Sequence, residues 1–149
     1  MTKWILRIAS FAVLICPFIA SQTTKPGLVK ALSNVKFETD DDVACLLSAT
    51  ETGDPATGPS TIILRAAPKC RVPWHTHTAE EQLMVNQGSV RTEMEGMPAE
   101  TLHAGGFAMM PSKVTHRFSC ESKTECILFV TFDRKYDIVW IKDNSQPGK

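Results

Sequence analysis

From Asp42 to Lys142 the chain is a succession of short apolar segments, most of them closed by glycine or proline. "DVACLLSAT" runs into "ETGDPATGPS", where Gly, Asp-Pro and Gly-Pro supply turn chemistry. "TIILRAA" (61–67) is β-branched and apolar and ends at Pro68. "LMV" and "SVRTEM" flank Gly88, "FAMM" stops at Pro111, and "HRFSC", "CILFVTF" and "YDIVWIK" follow. Helix signals are weak; only "GLVKALSN" (27–34) suits a short helix or turn. No strand this short builds a core alone. The spacing therefore predicts an all-β sandwich or barrel, whose strands pool their inward faces.

Strand pairing is less determined. "HRFSC" and "CILFVTF" read as a hairpin around "ESKT", which would set Cys120 opposite Cys126 and permit a cross-strand disulfide. The alternative is a pair of small buried residues on neighbouring strands. "GMPAETLHAGG" (96–106) reads as a loop.

The first residues obey a different rule. "MTKWILR" carries two positive charges, and the chain is then apolar from Ile8 to Ala20 apart from Ser10. A charged start followed by an apolar run too short to span a bilayer predicts a signal peptide. The expected layout is a signal peptide over 1–20, a polar linker or N-terminal arm over 21–37, a barrel domain over 38–143 and a disordered tail over 144–149. Such a chain is exported, to a periplasm or out of the cell, and keeps no stable membrane span after cleavage. Four cysteines then remain, Cys45, Cys70, Cys120 and Cys126, and an oxidising compartment permits disulfides among them in three full connectivities. Lys and Arg number 16, as do Asp and Glu. No basic run or stripe exists, which excludes nucleic acid as a partner.

One stretch carries chemistry. In "WHTHTAEEQLMVNQG" (74–88), strand alternation points His75 and His77 to one side and Trp74 and Thr76 to the other. Glu81 can turn towards the same point, and Leu83 and Val85 share its parity. Glu80 has the opposite parity and reads as a solvated turn residue. His116 supplies a third imidazole from the start of a strand whose inward neighbours are Phe118 and Cys120. His103 reads as a surface turn residue. Arg65, Arg91 and Arg117 could reach an anionic ligand, although each reads more naturally as surface charge. Met84, Met94, Met97, Met109 and Met110 could form a soft pocket wall, although ordinary core packing is the simpler reading.

His75 to Gly88 resembles the first motif of the cupin family: His-x-His, three residues, Glu, six residues, Gly. Gly105 to His116 resembles the second: Gly, five residues, Pro, then His five positions on. The 16 residues between Gly88 and Gly105 match the spacing of compact members. The resemblance implies a small jelly-roll barrel (a double-stranded β-helix) and His75, His77, Glu81 and His116 as ligands of one metal ion. Three positions depart from the pattern. Lys69 and Lys113 stand where the family usually has turn glycines. Lysine in the left-handed region costs roughly 1 kcal/mol, so those turns either change type or carry strain. Cys120 stands where the family's second motif ends in Asn.

Three imidazoles and a carboxylate suit one divalent transition metal, and ligand type does not choose among Mn, Fe, Ni, Cu and Zn. The resemblance implies a metalloenzyme acting on a small oxygen-rich or anionic molecule, as a dioxygenase or as a Lewis-acid lyase or isomerase. Its alternative is a non-catalytic metal or small-ligand sensor. The expected partner is a small molecule. The family's habit of dimerising admits a homodimer. No residue can be assigned a catalytic role from the sequence.

Overall fold

The computed structural model describes residues 25–142, so the expected signal peptide and tail lie outside the described residues. Everything below concerns the unit that begins at Ala31. After a 3-10 turn at Leu32–Asn34 come β1 (Glu38–Thr39), β2 (Leu46–Gly53), β3 (Ser60–Ala66), β4 (Arg71–Thr76), β5 (Glu81–Gln87) and β6 (Ser89–Met94). Then follow β7 (Glu100–His103), β8 (Phe107–Met110), β9 (His116–Cys120), β10 (Cys126–Phe132) and β11 (Val139–Trp140). The strands form two antiparallel sheets: six strands ordered β1-β2-β3-β10-β5-β8, and five ordered β11-β4-β9-β6-β7. The fold is thus all-β, a two-sheet jelly roll.

Alternation builds the core. Along β5 the residues Glu81, Leu83 and Val85 are buried while Gln82 and Met84 are exposed. Along β9 the buried residues are His116, Phe118 and Cys120. Leu83, Val85, Val90, Leu128 and Val130 are almost wholly enclosed between the sheets. Each such side chain stabilises the fold by about 1.5–3 kcal/mol relative to exposure.

Three expectations are corrected. First, β9 and β10 do not form a hairpin: β9 pairs with β4 and β6, and β10 pairs with β3 and β5. Both strands bury one face, and those faces meet across the core rather than side by side. The link at 121–125 therefore passes from one sheet to the other. Second, "GMPAETLHAGG" is not all loop, because β7 within it pairs with β6. Four residues flanked by Pro and two glycines gave too little alternation to be seen. Third, β2 continues through Glu51, Thr52 and Gly53, where the sequence predicts a turn.

Cys120 and Cys126 are bonded, with Cα atoms 5.8 Å apart, and Cys45 and Cys70 are bonded at 5.5 Å. Both bonds tie the six-stranded sheet to the five-stranded one. They lie side by side: the Cys120 N–H donates to Cys70 O at 2.9 Å, and the Lys69 N–H donates to Cys120 O at 3.0 Å. His116 opens β9 and Cys120 ends it, so the disulfides close the end of the barrel opposite the histidines.

Lys69 and Lys113 have φ of 64° and 65°, so the turns keep the left-handed geometry that glycine usually serves. Both are held by backbone bonds. The Lys113 N–H donates to His77 O at 2.7 Å, which joins the two histidine-bearing segments directly. Gly88 has no such latitude. Its φ is +89°, and a Cβ there would lie 2.8 Å from Cys126 Sγ and 3.2 Å from Cys126 Cα.

Candidate metal centre

His75 lies near the end of β4 and faces His116 directly across the β4–β9 ladder. A bulge makes this pairing possible. Between Val72 and His75 the strand advances three residues while β9 advances two. The extra residue lets Val72 and His75, of opposite parity, both point inward, and bulges commonly re-aim side chains in this way beside sites. Trp74 goes outward, under the Arg117 guanidinium at 4.6 Å from its ring centroid. His77 follows the last residue of β4, and Glu81 opens β5 on the other sheet. The group therefore bridges both sheets at one end of the barrel.

His75, His77, Glu81 and His116 are each 3–4% exposed. One ligand atom from each lies within 4.8 Å of all the others, so the four could hold one metal ion. The rings of His75 and His116 are 4.3 Å apart, and those of His75 and His77 are 4.8 Å apart. Glu81 Oε2 is 3.1 Å from His77 Nε2 and 3.2 Å from His116 Nε2.

The outer ring nitrogens settle the tautomers. His75 Nδ1 is 2.7 Å from Pro73 O, His116 Nδ1 is 2.9 Å from Val114 O, and His77 Nδ1 contacts Asp137 O. A carbonyl only accepts, so each Nδ1 carries its proton and donates. In a neutral ring the Nε2 lone pair is then left for the centre of the group. This orientation by backbone carbonyls is the usual support of a metal-bound histidine.

Electrostatics agree. Burial, and next the neighbouring His116, lower His75 to about 4, which keeps it neutral at ordinary pH. Burial alone would raise Glu81, but the facing His116 and His77 hold it down at about 2. Burial works against His77 as well, and its hydrogen bond to Glu81 outweighs this and raises it. A buried carboxylate facing imidazole nitrogens needs positive charge between them. A proton supplies it in the bare protein, and a divalent cation could replace that proton. The donor set fits such an ion.

The segment after β10 crosses this end of the barrel. Asp137 Oδ1 accepts the Thr78 N–H at 2.7 Å and the Thr78 hydroxyl at 2.9 Å. Asp133 Oδ1 accepts the Glu80 N–H at 2.9 Å. Pinned in this way, the segment sets the Tyr136 ring 5.2 Å from His77, while Trp140 of β11 lies 5.3 Å from His75. Beside the four ligand candidates is a cavity of about 110 Å³, walled by these aromatics, by Phe118, Phe132 and aliphatic side chains, and by Asp40 and Ser48. Burial, and next the Asp40 charge, raise the Tyr136 hydroxyl, which stays protonated.

Other candidates lie elsewhere. Arg65 pairs with Glu125, while Arg91 and Arg117 pair with Glu93, all on outer faces, and none lines the cavity. His103 is exposed on β7, not in a turn, and meets the Ser89 hydroxyl at 2.9 Å. Of the described methionines only Met110 is fully buried, whereas Met84, Met97 and Met109 are exposed, against the core-packing reading. Asp40, Tyr136, Asp137 and Trp140 are not among the residues that the sequence singles out. "YDIVWIK" held a detectable signal, since an aromatic pair there exceeds what a closing strand needs. Asp40 and Asp137 offered none.

The cupin domain model matches residues 62–132 of the chain. Among solved structures, an oxalate oxidase in complex with glycolate is 26% identical with a TM-score of 0.53, over 56% of this chain and 46% of that one. This chain thus spans less than half of that oxidase. The polyketide cyclase RemF from Streptomyces resistomycificus is 17% identical with a TM-score of 0.66, over 80% of this chain and 90% of that one. The DMSP lyase DddQ from Ruegeria pomeroyi DSS-3 is 16% identical with a TM-score of 0.61, over 78% and 64%. These last two likenesses show the fold alone. No curated protein sequence matches the chain.

Proposed function

Because the chain is a cupin, we propose that it is an exported metalloenzyme whose His75, His77, Glu81 and His116 hold one divalent transition metal beside a small-molecule cavity. The observation that carries this reading is the buried group itself, with each Nδ1 spent on a carbonyl and the ligand atoms gathered within 4.8 Å. Mn, Fe, Ni, Cu and Zn all suit this donor set. Such an ion would polarise a bound oxygen-containing substrate or exchange electrons with O₂.

The protein's own side chains do the rest. The three carbonyls fix the rings, the aromatic and aliphatic wall excludes water, and the Tyr136 hydroxyl can donate a hydrogen bond to a bound oxygen. Asp40 and Tyr136 in the wall favour an enzyme over a non-catalytic sensor, because a wall of Met and Phe alone would offer no proton donor or acceptor. An oxygenase or a Lewis-acid lyase or isomerase is the proposed reaction class, supported by the open positions such an ion would keep for O₂ or a chelating ligand. Two disulfides support export. A homodimer is part of the proposal, supported by an exposed apolar row on the six-stranded sheet. No helix among the described residues is long and apolar enough to cross a membrane.

The test is elemental analysis of the purified protein and its His116→Gln variant, followed by O₂ uptake and product analysis with chelating organic acids. Stoichiometric metal in the parent only, with turnover of a substrate, supports the enzyme. Tightly held zinc without turnover would replace it with the sensor.

A further inference from the structure

The cavity beside the four ligand candidates is unusual in its charge. Among the described residues its polar wall, apart from the histidines and Glu81, consists of Asp40, Ser48 and Tyr136, with no Lys or Arg. The arginines that could have met an anion point outward and are spent on Glu125 and Glu93. Asp40 is fixed in place: its Oδ1 accepts the N–H of Asp42 at 3.0 Å and of Val43 at 2.8 Å. A second acid stands close by, as Asp42 Oδ2 accepts the Trp140 indole N–H at 3.1 Å. An acidic turn therefore borders a cavity otherwise walled by aromatic and aliphatic groups.

We infer that this cavity selects small ligands carrying one negative charge, with Asp40 excluding a second. The inference rests on the metal reading above and names the substrate class for it. A divalent ion with Glu81 carries a net charge of one positive unit, which one carboxylate or enolate head neutralises. The remainder of the ligand then lies among Phe132, Tyr136, Trp140 and the Asp40 carboxylate, where an uncharged or cationic group is tolerated. A doubly charged ligand would bring one negative unit more than the ion and Glu81 neutralise, and Asp40 would repel that excess, with no Lys or Arg among the described wall residues to offset it. About 110 Å³ limits the ligand to a handful of heavy atoms. The Tyr136 and Ser48 hydroxyls are the wall's hydrogen-bond donors for its head.

Glycolate and oxalate separate the charge from everything else. Both offer a metal a five-membered chelate from two carbons, and they differ by one negative charge. The purified protein is first assayed for metal, reconstituted with Mn²⁺, and titrated with each acid by calorimetry, alongside Asp40→Asn and Asp40→Ser. Both replacements keep an oxygen able to accept the N–H groups of Asp42 and Val43, and thermal melts check that each variant folds. The expected result is that removing the Asp40 charge strengthens oxalate binding at least tenfold and changes glycolate binding less than threefold. An equal change for both acids, or no change for either, overturns the inference while leaving the metal site standing. So does a metal-loaded protein that binds neither acid. A protein that takes up no metal overturns the site reading itself, and the inference with it.

Discussion

His75 is the residue whose environment says most about the centre. It is buried and neutral, lowered from 6.5 to about 4 by burial and then by His116. In the metal-free protein this has a definite sign. Between pH 6.5 and 4 the unfolded chain binds a proton there that the folded chain refuses, so stability falls on acidification. The loss is on the order of 3 kcal/mol. Glu81, lowered from 4.5 to about 2, adds a further loss as pH falls below 4.5. His77, raised by its bond to Glu81, acts in the opposite sense, and its contribution disappears as pH rises through its folded value. Urea denaturation of chelator-treated protein at pH 7, 5.5 and 4.5 should show the acid loss, and His75→Gln should flatten it. Lys113 gives a second prediction at this scale. Its φ of 65° is the glycine-favouring region. Lys113→Gly should raise stability by up to about 0.5 kcal/mol, the relief of left-handed strain less the extra entropy of an unfolded glycine. A higher urea midpoint with unchanged slope would check it.

At the scale of elements, the two sheets are joined at both ends by different means. The disulfides do so at one end, and the His/Glu group with the pinned segment 133–141 does so at the other. Cys45–Cys70 closes a sequence separation of 25 residues and Cys120–Cys126 one of 6. Loop entropy then assigns about 3.5 kcal/mol to the first and about 2 kcal/mol to the second. Paired serine replacements should destabilise in that order, measured by chemical denaturation. At the other end, the Asp137 carboxylate holds the segment to Thr78 while its carbonyl takes the His77 proton. Asp137→Ala should weaken metal binding about tenfold, as loss of an orienting partner does, with little effect on the disulfide end. Competition against a chromophoric chelator would read this directly.

At the scale of the whole molecule, alternation made most of the architecture and half of the site legible. Leu83, Val85, Phe118 and Cys120 announced which way β5 and β9 face, and the spacing of His75, His77, Glu81 and His116 gave the polar group. The rest was hidden for physical reasons. A bulge between Val72 and His75 is a backbone event with no composition of its own. The partners of β9 and β10 depended on which strands shared each sheet, not on the "ESKTE" link between them. Asp40 and Tyr136 meet the site only through long-range folding. The same alternation also exposes something no core requires. Ala49, Ile63, Phe129, Met84 and Phe107 stand in one cross-strand row on the outer face of the six-stranded sheet. Ala49 and Ile63 are buried, yet Phe129, Met84 and Phe107 are 40%, 49% and 52% exposed, with Met109 beside them at 42%. A contiguous apolar row of this kind supports the proposed dimer, because clustered exposed apolar residues commonly accompany association whereas scattered ones need no partner. A two-fold dimer through it would bury the row against its own copy. Sedimentation velocity should therefore give a dimer for the parent and a monomer for the Met84→Glu, Phe107→Glu double variant. Metal content should be equal in both, since the row and the ligands lie on opposite faces of β5. A parent that sediments as a monomer at high concentration would remove the dimer and leave the site untouched.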